Sequence, residues 1–162
     1  MFRIAALMLG LSAVPALAED APTFTTEDAR LMVSCLDGST VGEGENATDC
    51  VGVASRACME TEPDGATTVG MVACTARETA WWDSQLNAHY SSLETSLSAE
   101  LATALREAQR AWIAYRDAGC GFEYDLWSEG TIRGVVHAGC LLDETARRAQ
   151  RLAGYVDGEV AP

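Results

Sequence analysis

AQRAWIAYRDAGC, residues 108–120, combines a helical apolar stripe with a ladder of arginines and closes on a cysteine. Read forward from Leu101, large apolar side chains recur at Leu101, Leu105, Trp112 and Tyr115, with the small Ala108 between them. That spacing follows one face of a helix with about 3.6 residues per turn. Arg106, Arg110 and Arg116 lie beside or opposite the stripe. The stretch carries no nucleophile, metal cluster or phosphate loop, so it speaks for structure and kinship rather than for chemistry.

Working outward, a long helix is expected before it, over about 67–97, with periodic positions at Met71, Cys74, Glu78, Trp82, Leu86, Tyr90, Leu93 and Leu97. Glu78 falls on this otherwise apolar face, so it is either partly buried opposite an arginine or the stripe is narrower than these positions draw it. If it is buried, Arg110 or Arg116 on the next helix is the expected partner. Ser98 is the N-cap of that next helix, 99–118, and Glu100 sits near its positive end. So short a connection makes the pair an antiparallel hairpin. Residues 121–137, GFEYDLWSEGTIRGVVH, break the pattern with three aromatics, three acids and several glycines, and are read as a loop with one turn of helix. A last helix runs from about 138 or 141 to 155 through Leu142, Ala149 and Leu152.

Toward the N-terminus, Thr25 or Thr26 caps a short helix that reaches Cys35. The polar stretch STVGEGENATD, 39–49, is a loop, a second helix runs from about 46 or 48 to Glu60, and Pro63-Asp64-Gly65 is a strong turn signal. No strand-like alternation appears. The fold class is therefore all-α, a small domain of about five helices around a long central antiparallel helical hairpin.

Residues 1–18 place Arg3 before an apolar run and end in Ala16-Leu17-Ala18, the small-x-small pattern of a secretory signal peptide. The run is shorter than the roughly twenty residues a membrane span requires, and residues 15–19 contain no cysteine for a lipid anchor. The rest of the chain divides into one domain, 19–156, and a flexible tail, 157–162. Localisation after cleavage is periplasmic or secreted. Six cysteines, at 35, 50, 58, 74, 120 and 140, then read as a disulfide set. Each consecutive pair brackets an interhelical connection, so the expected pairing is Cys35 with Cys50, Cys58 with Cys74 and Cys120 with Cys140. No two are spaced as in zinc knuckles or redox motifs.

The net formal charge is -13, from 24 acids against eleven basic residues, all of them arginine. Such a domain is repelled by nucleic acid and anionic membranes and attracts cationic proteins over about a Debye length. Among 24 acids, pairs such as Glu78 with Asp83 or Asp117 with Glu123 arise by number alone and do not mark a catalytic site. His89 and His137 stand alone, and Ser91, Ser92, Ser96 and Ser98 lack the strand-turn-helix setting of a nucleophile elbow. No catalytic residue, cofactor or metal is expected. Phe122, Tyr124 and Trp127, set among acids in the expected loop, are the candidate partner-binding residues.

Cys74, Glu78, Trp82-Asp83, Leu86-Asn87 and Tyr90, then Ala108-Gln109-Arg110, Trp112, Tyr115-Arg116-Asp117 and Cys120, then Gly130-Thr131, Cys140 and Thr145-Ala146-Arg147 carry a family resemblance. Over roughly residues 30–155 the chain resembles the lysozyme inhibitor LprI-like N-terminal domain family, formerly a domain of unknown function. The resemblance implies an exported, cysteine-containing helical protein that is not an enzyme. Its name implies a cationic partner, c-type lysozyme, engaged through the acidic surface and loop 121–137. The chain departs from the family's founding lipoprotein in lacking the lipid-anchor cysteine, and it has no second β-rich domain of the kind that carries inhibitory loops in membrane-bound lysozyme inhibitors. An alternative role is a cell-envelope structural or adaptor protein with an endogenous periplasmic partner.

Overall fold

The structure is a computed structural model that describes residues 23–38 and 50–158. The expected leader, the whole of the 39–49 loop with the expected start of the second helix at 46 or 48, and the last residues of the tail lie outside those bounds. Five helices succeed one another: α1 (Thr26–Leu36), α2 (Val53–Thr61), α3 (Thr68–Ser96), α4 (Ala99–Leu126) and α5 (Ile132–Val156), with no strand among the described residues.

Local chemistry sets most of their ends. Thr25 caps α1 in a reciprocal box with Asp28, Thr67 caps α3 through the Gly70 N–H, and Ser98 caps α4 through the Leu101 N–H. Glu100, in the first turn of α4, has its carboxyl held below the usual range by a backbone N–H at the helix start and by the Ser98 hydroxyl. The α2–α3 turn is tight enough that a Cβ on Gly70 would strike the Asp64 carbonyl.

The three long helices do not pack as their order suggests. Leu97 and Ser98 join α3 to α4 in the expected tight antiparallel turn, yet beyond that turn the two helices barely touch. α5 is the main neighbour of α3 and also the neighbour of α4. Small residues explain the choice: α5 buries Ala138, Ala146, Ala149 and Gly154 beside Leu142 and Leu152, which lets its backbone come close to the Trp82, Leu86 and Leu93 face of α3. The core is completed by Met32 of α1 and Ala54 of α2.

The buried face of α4 is turned relative to the stripe expected from the sequence. Leu101 and Tyr115 are exposed, and Ala102, Leu105, Gln109, Trp112, Arg116 and Cys120 face inward. Two of these are long polar side chains, Gln109 accepting from Arg148 and Arg116 holding its guanidinium over Trp112, a pattern invisible when apolar residues alone are counted.

All three disulfides pair as expected: Cys35 with Cys50, Cys58 with Cys74, and Cys120 with Cys140. Each closes a loop of 15 to 20 residues, which in the chain-entropy account contributes about 3 kcal/mol.

Glu78 is where the structure departs most from the sequence-based expectation. It is fully buried, but neither Arg110 nor Arg116 reaches it. One carboxylate oxygen accepts the Gly52 N–H at 2.7 Å and the Trp82 indole N–H at 3.1 Å, and the other accepts the Ser55 N–H at 2.7 Å. The acid thus caps α2 from another helix, where orphan N–H groups and the positive end of the helix dipole stabilise an anion. It replaces a cap α2 lacks, since the N-cap is Gly52, in the left-handed region at φ 87°. Gly52 also breaks the helical path immediately before Val53, where α2 begins. A second tie, unforeseen in the sequence, comes from Arg77, whose guanidinium holds Asp28 of α1 at 3.0 Å and Glu62, the C-cap of α2, at 3.2 Å.

Glu78→Ala is expected to cost at least about 3 kcal/mol, because two buried backbone N–H groups and an indole N–H lose their acceptor together. Glu78→Gln should also destabilise, by about 1–3 kcal/mol, since its amide nitrogen would face another donor. Urea denaturation of the oxidised protein measures both; a Glu78→Gln midpoint equal to wild type would contradict the capping role.

Candidate partner-binding surface

The segment expected to be a loop is largely helical. α4 continues through Gly119 and Gly121 to Leu126, and α5 starts at Ile132, so only Trp127–Thr131 connects them. Glycine in a helix costs up to about 1 kcal/mol relative to alanine. Here fully buried Cys120, bonded to Cys140, pins α4 to α5 and offsets that cost. The short turn is braced by the Arg133 guanidinium, which donates to the Ser128 carbonyl at 3.1 Å.

Continuing the helix separates the three candidate aromatics. Tyr124 is half-buried, with the Arg133 guanidinium 4.6 Å above its ring and the His137 ring edge-on at 5.6 Å. His137 in turn donates from Nδ1 to the Cys120 carbonyl at 3.0 Å. Tyr124 therefore braces the α4–α5 junction. Phe122 and Trp127 stay exposed, at 64% and 50%. They are joined by two residues not singled out from the sequence, Tyr115 and Leu126, exposed at 64% and 66%. Tyr115, Gly119, Phe122 and Leu126 recur at helical spacing, so the signal was present but hidden by ending the helix at 118. This stripe lines a shallow cleft of about 380 Å³ over the Cys120–Cys140 bridge, with Glu123 and Glu144 in its wall.

The remaining motif residues divide between core and surface. Trp82 is buried on Glu78. Asp83 is exposed and accepts from the Asn87 side chain at 3.0 Å, one turn on. Tyr90 lies beside Glu94, which holds Arg106 across the α3–α4 turn at 3.0 Å. Trp112 has two guanidiniums near its ring, Arg116 at 5.0 Å and Arg148 at 5.9 Å. Arg148 also donates to the Gln109 side chain at 2.9 Å, and burial pushes its guanidinium pKa down. Arg116 holds Asp117, its chain neighbour, at 2.8 and 3.0 Å. Arg110 is exposed. No cluster of three or more His, Cys, Asp or Glu suited to a metal occurs among the described residues, and no helix there is long and apolar enough to cross a membrane.

Fold and surface together define a small disulfide-clipped all-α domain with an aromatic edge set among acids. Residues 58–152, more than half of the chain, match the family described as lysozyme inhibitor LprI, and the chain belongs to that family. The matched span takes in the end of α2, all of α3 and α4, and most of α5. No curated protein and no solved structure matches the chain.

The two arginines beside Trp112 should differ on truncation. Arg148→Ala, which orphans Gln109 and uncovers the ring, is expected to lower stability by about 1–2 kcal/mol. Arg116→Ala removes a pair with an exposed neighbour and should cost less than about 1 kcal/mol. Thermal melts of the two variants check the order.

Proposed function

We propose that this protein is a non-enzymatic binding protein of the periplasm or exterior that inhibits lysozyme, and that the α4 edge makes the contact. Family membership supports an inhibitor of that enzyme class. The observation that carries the reading is the exposed Tyr115, Phe122, Leu126 and Trp127 stripe with Glu123 and Glu144 beside it. Aromatic anchors ringed by charge are the usual composition of an interface hot spot. A net charge of -13 steers a cationic enzyme toward the domain, while the aromatics supply the contact that holds it. The leader expected at 1–18 and three disulfides suit an oxidising, exported setting. An envelope adaptor role would use the same edge on an endogenous periplasmic protein.

Oxidised protein at micromolar concentration is expected to slow c-type lysozyme lysis of a sensitive cell suspension, with the effect weakening as salt rises. Phe122→Ala and Trp127→Ala should each weaken inhibition by about tenfold or more. Being surface changes, they should leave stability within about 0.5 kcal/mol of wild type. No slowing at low salt would refute lysozyme as the partner; recovery of an endogenous partner that depends on Phe122 and Trp127 would then support the adaptor role.

A further inference from the structure

The divergence of α3 and α4 leaves a groove between them, floored by α5. Its volume is about 490 Å³, within the range of small-molecule sites. Val72, Ala76 and Ala80 of α3 form one apolar wall, and Gly134, Ala138 and Leu141 of α5 form the floor. A neighbouring hollow of about 370 Å³, which shares Val72 and Gly134, extends the groove toward Val69 and Tyr124.

Thr68, Thr131 and Arg133 line that hollow as well, while Asp83, Arg116 and Thr145 stand at the opposite end of the groove. α3 and α5 run parallel, because each is antiparallel to α4. Val72 faces Gly134, where an added Cβ would meet the Val72 side chain at 3.5 Å. Eleven residues further along each helix, about 16 Å at 1.5 Å per residue, stand Asp83 and Thr145, both in the groove lining. Arg116 joins them from α4, at a level bracketed by the Cys120–Cys140 bridge and the Gln109–Arg148 hydrogen bond. Arg116 uses Nε and Nη2 on Asp117, and its Nη1 has no hydrogen-bond partner among the described residues. Thr145 is fully buried, and its hydroxyl is the one buried side-chain polar atom among the described residues without a hydrogen-bond partner. A buried hydroxyl with nothing to bond costs stability unless a ligand or water completes it.

We infer that this groove binds a single-chain zwitterionic amphiphile, a lysophosphatidylethanolamine in chemical class. The acyl chain lies along the apolar wall and floor. The phosphate takes the free Arg116 nitrogen and the Thr145 hydroxyl, and the ammonium pairs with Asp83. A carboxylate and a guanidinium on opposite walls select such a head over a purely anionic one, which Asp83 and the overall negative charge of the protein repel.

Titration of the full oxidised chain with myristoyl lysophosphatidylethanolamine, below its micellar concentration and followed by calorimetry, should show saturable one-site binding. Myristoyl lysophosphatidylglycerol, which has no ammonium, and tail-free phosphoethanolamine should each bind at least about tenfold more weakly. Thr145→Val removes the hydroxyl at constant shape; it should weaken binding about tenfold while keeping or raising the melting temperature. Ala80→Leu, at an exposed position on the groove wall, should abolish binding in a folded protein. Asp83→Asn should bring the two lipid heads to similar affinity. Absence of saturable binding overturns the inference, and so does equal binding by wild type, Thr145→Val and Ala80→Leu. Equal affinity of wild type for the two lysolipids would refute the head assignment.

Discussion

The structure hangs on one carboxylate. Glu78 lies inside the apolar face of the longest helix, an unfavourable place for a charge, and it is tolerated there because two backbone N–H groups at the start of α2 and the Trp82 indole all point at it. The consequence is architectural. α2 has nine residues and no capping side chain of its own, so its start is defined from α3. Cys58–Cys74 fixes its other end to the same helix, and Cys35–Cys50 then ties α1 to the chain just before it. Arg77, one residue before Glu78, closes the circuit by holding the first turn of α1 and the residue that caps the end of α2. The N-terminal half is thus tied together by two adjacent charged residues on α3 and by two disulfides, around the buried Met32 and Ala54.

The C-terminal half obeys a different logic. There α5 carries the packing, and its small residues decide that it, rather than α4, lies against α3. Two helices joined by a two-residue turn ordinarily pack along their length. Here the third helix interposes itself and the hairpin opens, which is why a groove exists at all. The same displacement leaves one side of the end of α4 bare and puts the aromatic stripe on the outside.

Much of this was legible in the chain. Periodicity in α3, the Ser98 and Thr25 caps and the order of the cysteines lead directly to the helices and the disulfides, because each is a local or nearly local signal. Two kinds of error had physical causes. Gly119 and Gly121 look like helix enders, but a disulfide and a buried face keep them helical, so the candidate residues Phe122, Tyr124 and Trp127 lie on or beside a helix rather than in a loop. Glu78 stands out in the sequence as an acid on an apolar face, but the partner expected for it if buried is another charge. Backbone N–H groups leave no mark in a sequence, so a cap supplied from 23 and 26 residues away cannot be read from spacing. Thr145 shows the same limit in reverse: the residue stood in the quoted pattern, but that its hydroxyl is left unpaired emerges only once the helices are packed.

The consecutive pairing of the cysteines has a consequence for how the protein is made. Every bridge joins a cysteine to the next one along the chain, so no bridge encloses or crosses another. In the exported setting proposed for this chain, with the N-terminus emerging first, each cysteine that emerges meets its correct partner as the only thiol still free. An oxidant alone then suffices to complete the set, and wrong pairings that would need slow thiol exchange to undo are avoided by the order of arrival.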